Sequence, residues 1–174
     1  MNLTLIRHTA VDVPKGVCYG QSDVPLKDLD NDAKDVYKNL IDKTFDKIYS
    51  SPLSRCTLLA LKCGYTDIHT DKRLMEMNFG AWEMCRFDEI TDPRLQLWYE
   101  DYLNVAPTEG ESFIQMQQRV LSFVEELKKE NYTDVSIFTH GGVILQFQLL
   151  LGIISTENMF DYQTPYGGIV RLTI

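Results

Sequence analysis

Short apolar runs that read as strands alternate along this chain with stretches whose apolar residues recur at helical spacing. That alternation is the pattern of an α/β domain, and 174 residues suffice for one such domain, 1–174, with a proper core. The strand-like runs are residues 2–7, 46–50, 134–139 and 167–174, with TDIHT (66–70) a weaker one. Between them, Leu29, Ala33, Val36, Tyr37, Leu40 and Ile41 define one amphipathic helix. Phe113, Met116, Val120, Leu121, Val124 and Leu127 define another, opened by the capping-box pair Ser112 and Gln115. In SPLSRCTLLALKCG, Ser51 suits an N-cap, Pro52 the first helical position and Gly64 the stop, with Leu53, Cys56, Ala60 and Cys63 inward. A further apolar helix begins near Val143. Two segments break the pattern: a long Pro/Gly-containing loop at 8–28, and an irregular aromatic stretch at 81–110 with room for a short helix.

Three of the strand-like runs end in polar or cationic groups: Arg7–His8, SPLSR and THGG. If those strands are parallel, the three segments meet at one edge of the sheet, where open α/β sheets bind ligands. Each segment suits a phosphate. Arg55 falls in the first turn of its helix, where a cation opposes the helix dipole unless an anion is present. Gly141 and Gly142 let the backbone approach a ligand closely after His140, and the arginine fork matches phosphate oxygens.

The rest of the composition narrows the chemistry. A net charge of −8 disfavours nucleic acid and anionic membranes as partners, and an anionic substrate then requires a local cationic pocket. No run approaches the length of a membrane span, and no signal peptide precedes the first strand, so a cytoplasmic location is expected. The four cysteines, Cys18, Cys56, Cys63 and Cys85, have no CxxC or zinc spacing and read as reduced thiols. His8 and His140 lack metal-ligand spacing, and arginine neighbours repel a cation. A neutral histidine can instead attack phosphorus, with a carboxylic acid protonating the leaving oxygen; Glu76, Asp12 and Glu83 are the candidates for that acid.

The blocks LIRHT, SSPLSR, RLMEMNFGAWE and THGG, with GESF before the long helix, resemble in order the motifs of the histidine phosphatase (phosphoglycerate mutase-like) superfamily. The resemblance spans nearly the whole chain. It implies a mostly parallel sheet with helices on both faces, a small lid at about 81–110, no metal and no cofactor. By the same resemblance His8 is the phosphorylated nucleophile and Glu76 the proton donor and acceptor, while Arg7, Arg55 and His140 bind the phosphoryl group. Gln21 and Gly141 are candidate substrate contacts, Gln21 having a turn-stabilising role as its alternative. RHTAVDVPKGVCYGQSDVPL is most similar to the bacterial α-ribazole phosphatases, implying a small phosphomonoester substrate from cobalamin nucleotide-loop assembly. A phosphoglycerate mutase, a broad sugar or nucleotide phosphatase, and an inactive phospho-ligand-binding module are the competing expectations.

Ala10, Met84 and Leu145 depart from the family pattern, standing where many members have glutamate, glycine and arginine. Segment 83–110 carries Arg86 and Arg94 against seven carboxylates, which favours an uncharged or cationic leaving group. Trp82, Trp98, Tyr99 and Tyr102 either wall a flat base or form the segment's own small core, the second being the simpler reading.

Overall fold

The five strands are β1 (Asn2–Arg7), β2 (Lys47–Ser50), β3 (His69–Thr70), β4 (Asp134–Thr139) and β5 (Ile169–Thr173). They form one sheet in the order β3-β2-β4-β1-β5. The first four are mutually parallel, and β5 returns antiparallel along β1. The computed structural model describes all 174 residues. Its helices are α1 (Leu29–Leu40), α2 (Ser54–Lys62), α3 (Arg94–Glu100), α4 (Phe113–Leu127) and α5 (Gly141–Leu150).

Period-two alternation sends the strands' apolar residues to both faces. Leu3 and Leu5 of β1, with Val135 and Ile137 of β4, enter a core with Met116, Val120 and Phe123 of α4 and Val143, Ile144 and Phe147 of α5. Ile6 and Phe138 point the other way, onto Ala33, Val36 and Leu40 of α1 and Cys56, Leu59 and Ala60 of α2. Helices therefore cover both faces of a mostly parallel sheet, as expected. No helix is long and apolar enough to cross a membrane.

Several local expectations change. Ser51 is not the N-cap of α2, which begins at Ser54. An aspartate from the long loop serves that end instead: Asp23 Oδ1 accepts from the Ser54 amide at 2.9 Å and from its hydroxyl at 2.8 Å. Gly64 does follow the helix end, with φ of +90°. The weak strand at 66–70 contracts to the two residues of β3. On α4 the capping box forms as read, but Leu121 is exposed and Phe123 fills the inward position. Segment 81–110 contains α3 and short 3-10 turns, and an isolated bridge between Val17 and Arg86 fastens it to the 8–28 loop. Met84 sits there at φ +63°, which accounts for glycine as the family-pattern residue.

Candidate active site

Strand register brings the polar segments together. Arg7 is paired with Thr139, and Ser50 with Phe138, so β1, β2 and β4 end side by side. Beyond those ends the main chain stays linked: the His8 amide donates to Thr139 O at 3.0 Å and the Ser51 amide to Phe138 O at 2.9 Å. The edge inferred from the sequence exists because the strands are parallel.

His8 and His140 lie with ring centroids 5.2 Å apart, edge to face. His8 is 1% exposed. Its Nδ1 hydrogen-bonds the Thr9 carbonyl at 2.8 Å; a carbonyl only accepts, so Nδ1 carries the proton and Nε2 keeps a lone pair. Burial, with Arg55 next in weight and Arg7 behind it, holds the imidazole down at a pKa of about 3. The ring is thus neutral across the physiological range. His140 is likewise held well below its ordinary value by burial and then by Arg55. Its Nδ1 accepts from Arg55 Nε at 3.3 Å, so its Nε2 donates to Ser51 Oγ at 2.8 Å.

Arg55 is completely buried, and its remaining nitrogens donate to the carbonyls of Ser22 (2.8 Å) and Gly20 (2.6 Å) in the long loop. Arg7 donates from Nη1 to Thr164 O at 2.5 Å and lies 4.2 Å from the centre of the Tyr166 ring. Its Nε is buried without a partner, the kind of donor an anion would satisfy. Tyr166 also covers His8, at 5.5 Å between rings, and its hydroxyl bonds that of Tyr19 at 2.8 Å.

Glu76 approaches from the segment after β3. Its carboxylate accepts from the Met77 amide at 2.9 Å and from the Gly142 amide, at the start of α5, at 3.1 Å. A Cβ on Gly142 would collide with that carboxylate, and one on Gly141 would press on the Arg7 guanidinium at 3.1 Å. The glycines of THGG thus make room for Glu76 and Arg7. Gln21 donates its side-chain amide to Glu76 O at 3.0 Å, a link between the long loop and the Glu76 segment, and does not line the cavity described next.

That cavity, of about 590 Å³, has Arg7, Glu76, Gly141 and Gly142 at its inner end and is otherwise mostly apolar, with 14 hydrophobic residues among its 20. His8, Arg55 and His140 are buried and are not among its lining residues. Its outer walls include Phe79, Phe87, Trp98, Tyr99, Tyr102 and Phe160. The aromatic residues of 81–110 therefore divide between the two readings. Trp82 is core, 2% exposed with Nε1 donating to Asp92 at 2.8 Å, whereas Trp98, Tyr99 and Tyr102 face the cavity. Leu145, in the position of a family arginine, is a cavity-wall residue packed with Phe113, Ile154 and Met159. The two basic residues of the segment are engaged elsewhere: Arg86 with Asp88 and Glu89, Arg94 with Ala106 O.

One supporting residue, Arg119, carries no sequence signal. Arg119 of α4 grips Glu111 with two bonds, of 2.7 and 2.9 Å, and donates to the carbonyls of Arg73 (2.6 Å) and Glu76 (3.0 Å). Glu111 in turn accepts from the Asn78 amide at 2.8 Å, so the pair brackets the Glu76 segment on both sides. Glu111 lies in the GESF block, but nothing in the sequence pairs that block with an arginine eight positions on.

Comparison with known proteins gives the same picture. The model of the histidine phosphatase superfamily (branch 1) matches residues 3–174. The adenosylcobalamin/alpha-ribazole phosphatase of Escherichia coli (strain K12) is 28% identical over 96% of this chain and 87% of its own length. A Hydrogenobacter thermophilus protein named "Putative phosphoserine phosphatase 2" is 30% identical over 98% of this chain and 88% of its own. The crystal structure of the alpha-ribazole phosphatase from Shigella flexneri superposes with a TM-score of 0.90 at 28% identity, covering 100% of this chain and 91% of that one. With a match that runs from the first strand to the last residue, the chain belongs to branch 1 of the histidine phosphatase superfamily and is a phosphatase.

Proposed function

We propose that the protein hydrolyses phosphomonoesters through a phosphohistidine on His8, and that its substrate is α-ribazole 5′-phosphate or the cobalamin form of that ester. In the first step His8 Nε2 attacks phosphorus in line, the bond from phosphorus to the ester oxygen breaks, and Glu76 gives that oxygen its proton. Arg7, Arg55 and His140 hold the phosphoryl oxygens as charge moves onto them. In the second step water attacks the phosphohistidine, Glu76 takes the water's proton, and inorganic phosphate leaves with His8 neutral again. The observation that carries the mechanism is the His8 hydrogen bond: Nδ1 is spent on Thr9 O, so a neutral imidazole has only Nε2 to offer.

The cavity, whose only charged residues are Arg7 and Glu76, favours an uncharged leaving group. A benzimidazole nucleoside would stack on Trp98, Tyr99 or Phe87 there without stranding a charge. Phosphoserine and phosphoglycerate each bring a carboxylate, for which the walls hold no free cation. The names of the relatives make phosphoserine the sharpest competitor. A phosphate-release panel separates them: α-ribazole 5′-phosphate should exceed phosphoserine, 3-phosphoglycerate and nucleoside monophosphates in kcat/KM, with activity unchanged by EDTA. Faster turnover of phosphoserine would overturn this substrate assignment.

A further inference from the structure

We propose that Glu83 is a positioning residue that aims Arg55 at the phosphoryl group by fixing the loop at residues 20–22; the inference rests on the phosphate-binding role assigned to Arg55 above. The Glu83 carboxylate takes hydrogen bonds from the Gln21 amide (2.8 Å), the Ser22 amide (2.6 Å), the Ser22 hydroxyl (2.5 Å) and the Phe79 amide (3.1 Å). Three of the four donors lie in that loop. The carbonyls on either side of Gln21, Gly20 O and Ser22 O, are the acceptors for Arg55 Nη2 and Nη1. Each Arg55 nitrogen is thereby directed: Nε by His140, and the two terminal nitrogens by a loop whose amides are gripped from behind by one carboxylate.

The loop is built to come this close. Gly20 has φ of +33°, and a Cβ there would meet Glu83 itself, the Met77 carbonyl (2.6 Å) and the Phe79 ring (2.9 Å). Glu83 does not line the cavity, so it reaches the chemistry only through the loop. Glutamine at position 83 would keep one acceptor oxygen and turn a donor either toward the amides of Gln21 and Phe79, which share Oε1, or toward that of Ser22 on Oε2, all of which also donate. The loop would then shift, and the Arg55 fork with it.

The test uses Glu83→Gln, Arg55→Lys, the double variant and Ser22→Ala, with p-nitrophenyl phosphate and the bulkier 1-naphthyl phosphate as substrates. Inorganic phosphate binding is followed by calorimetry. Glu83→Gln should lower kcat/KM by about 10–100-fold, the usual scale for a group that orients a ligand-binding residue. The loss should be equal for the two esters and accompanied by weaker phosphate binding, because Arg55 meets the phosphoryl group and not the leaving group. In the Arg55→Lys background the same change should add less than about threefold, since contacts in one network do not add. Full multiplication of the two losses would overturn the proposal, as would a loss confined to the naphthyl ester with phosphate affinity unchanged. Should Glu83→Gln fail to fold, Ser22→Ala, which deletes one of the four bonds, must show a smaller loss with the same dependence on Arg55. Independence from Arg55 there overturns the proposal too. Phosphate binding requires no turnover, so binding that depends on Glu83 without any phosphohistidine would contradict the mechanism and leave this inference standing.

Discussion

At the scale of residues, the state of His8 is set by its surroundings. The ring is sealed from water beside two arginines, and one carbonyl fixes its proton on Nδ1. An imidazole held neutral in this way carries a stability cost with a definite pH dependence. In the unfolded chain His8 takes up a proton below its ordinary pKa of 6.5, while in the folded protein it stays neutral down to about 3. Protons therefore favour the unfolded state, and stability falls as pH drops through that window, by about 1.4 kcal/mol per pH unit for each such histidine once the unfolded form is protonated. Urea unfolding between pH 7 and pH 4 should show this decline, and His8→Gln should make it shallower. An unchanged slope in the variant would show that His8 is not held neutral. The dipeptide Arg7–His8 is legible as a strand end, but its chemistry depends on the adjacent Thr9 and on Arg55 and Tyr166, which come from two distant segments.

At the scale of elements, local rules succeeded where the partners are close in sequence. The Ser112–Gln115 box and the glycine after α2 are interactions within a turn, and both appear as read. Ser51 misled because the competing cap, Asp23, comes from a distant loop, freeing the Ser51 hydroxyl to accept from His140. The same holds for α4, whose apolar stripe was readable while its Arg119 was not. By holding Glu76 O and Arg73 O, Arg119 fixes the segment that presents the Glu76 carboxylate. Arg119→Gln should therefore act on leaving-group protonation. We expect a loss of about 10–100-fold in kcat for an alkyl phosphate, the scale seen when a supporting residue is removed. For p-nitrophenyl phosphate, whose leaving group needs little protonation, the loss should be much smaller. Equal losses on both esters would contradict the role given to Glu76.

At the scale of the molecule, strand direction is what converts scattered motifs into a site. Periodicity marks the strand ends but not that β1 through β4 run parallel while β5 does not; only the family resemblance implies a mostly parallel sheet. Nor does periodicity divide the aromatic residues of 81–110 between core and cavity, because Trp82 and Trp98 differ only in what folds over them. The proposed mechanism requires a covalent phosphoryl group on His8, and rapid quenching with a ³²P-labelled monoester tests for it directly. The predicted result is label that resists alkali, is lost in acid and maps to the peptide containing His8, with none in His8→Ala. Turnover with no trapped label, or label retained by His8→Ala, would contradict it.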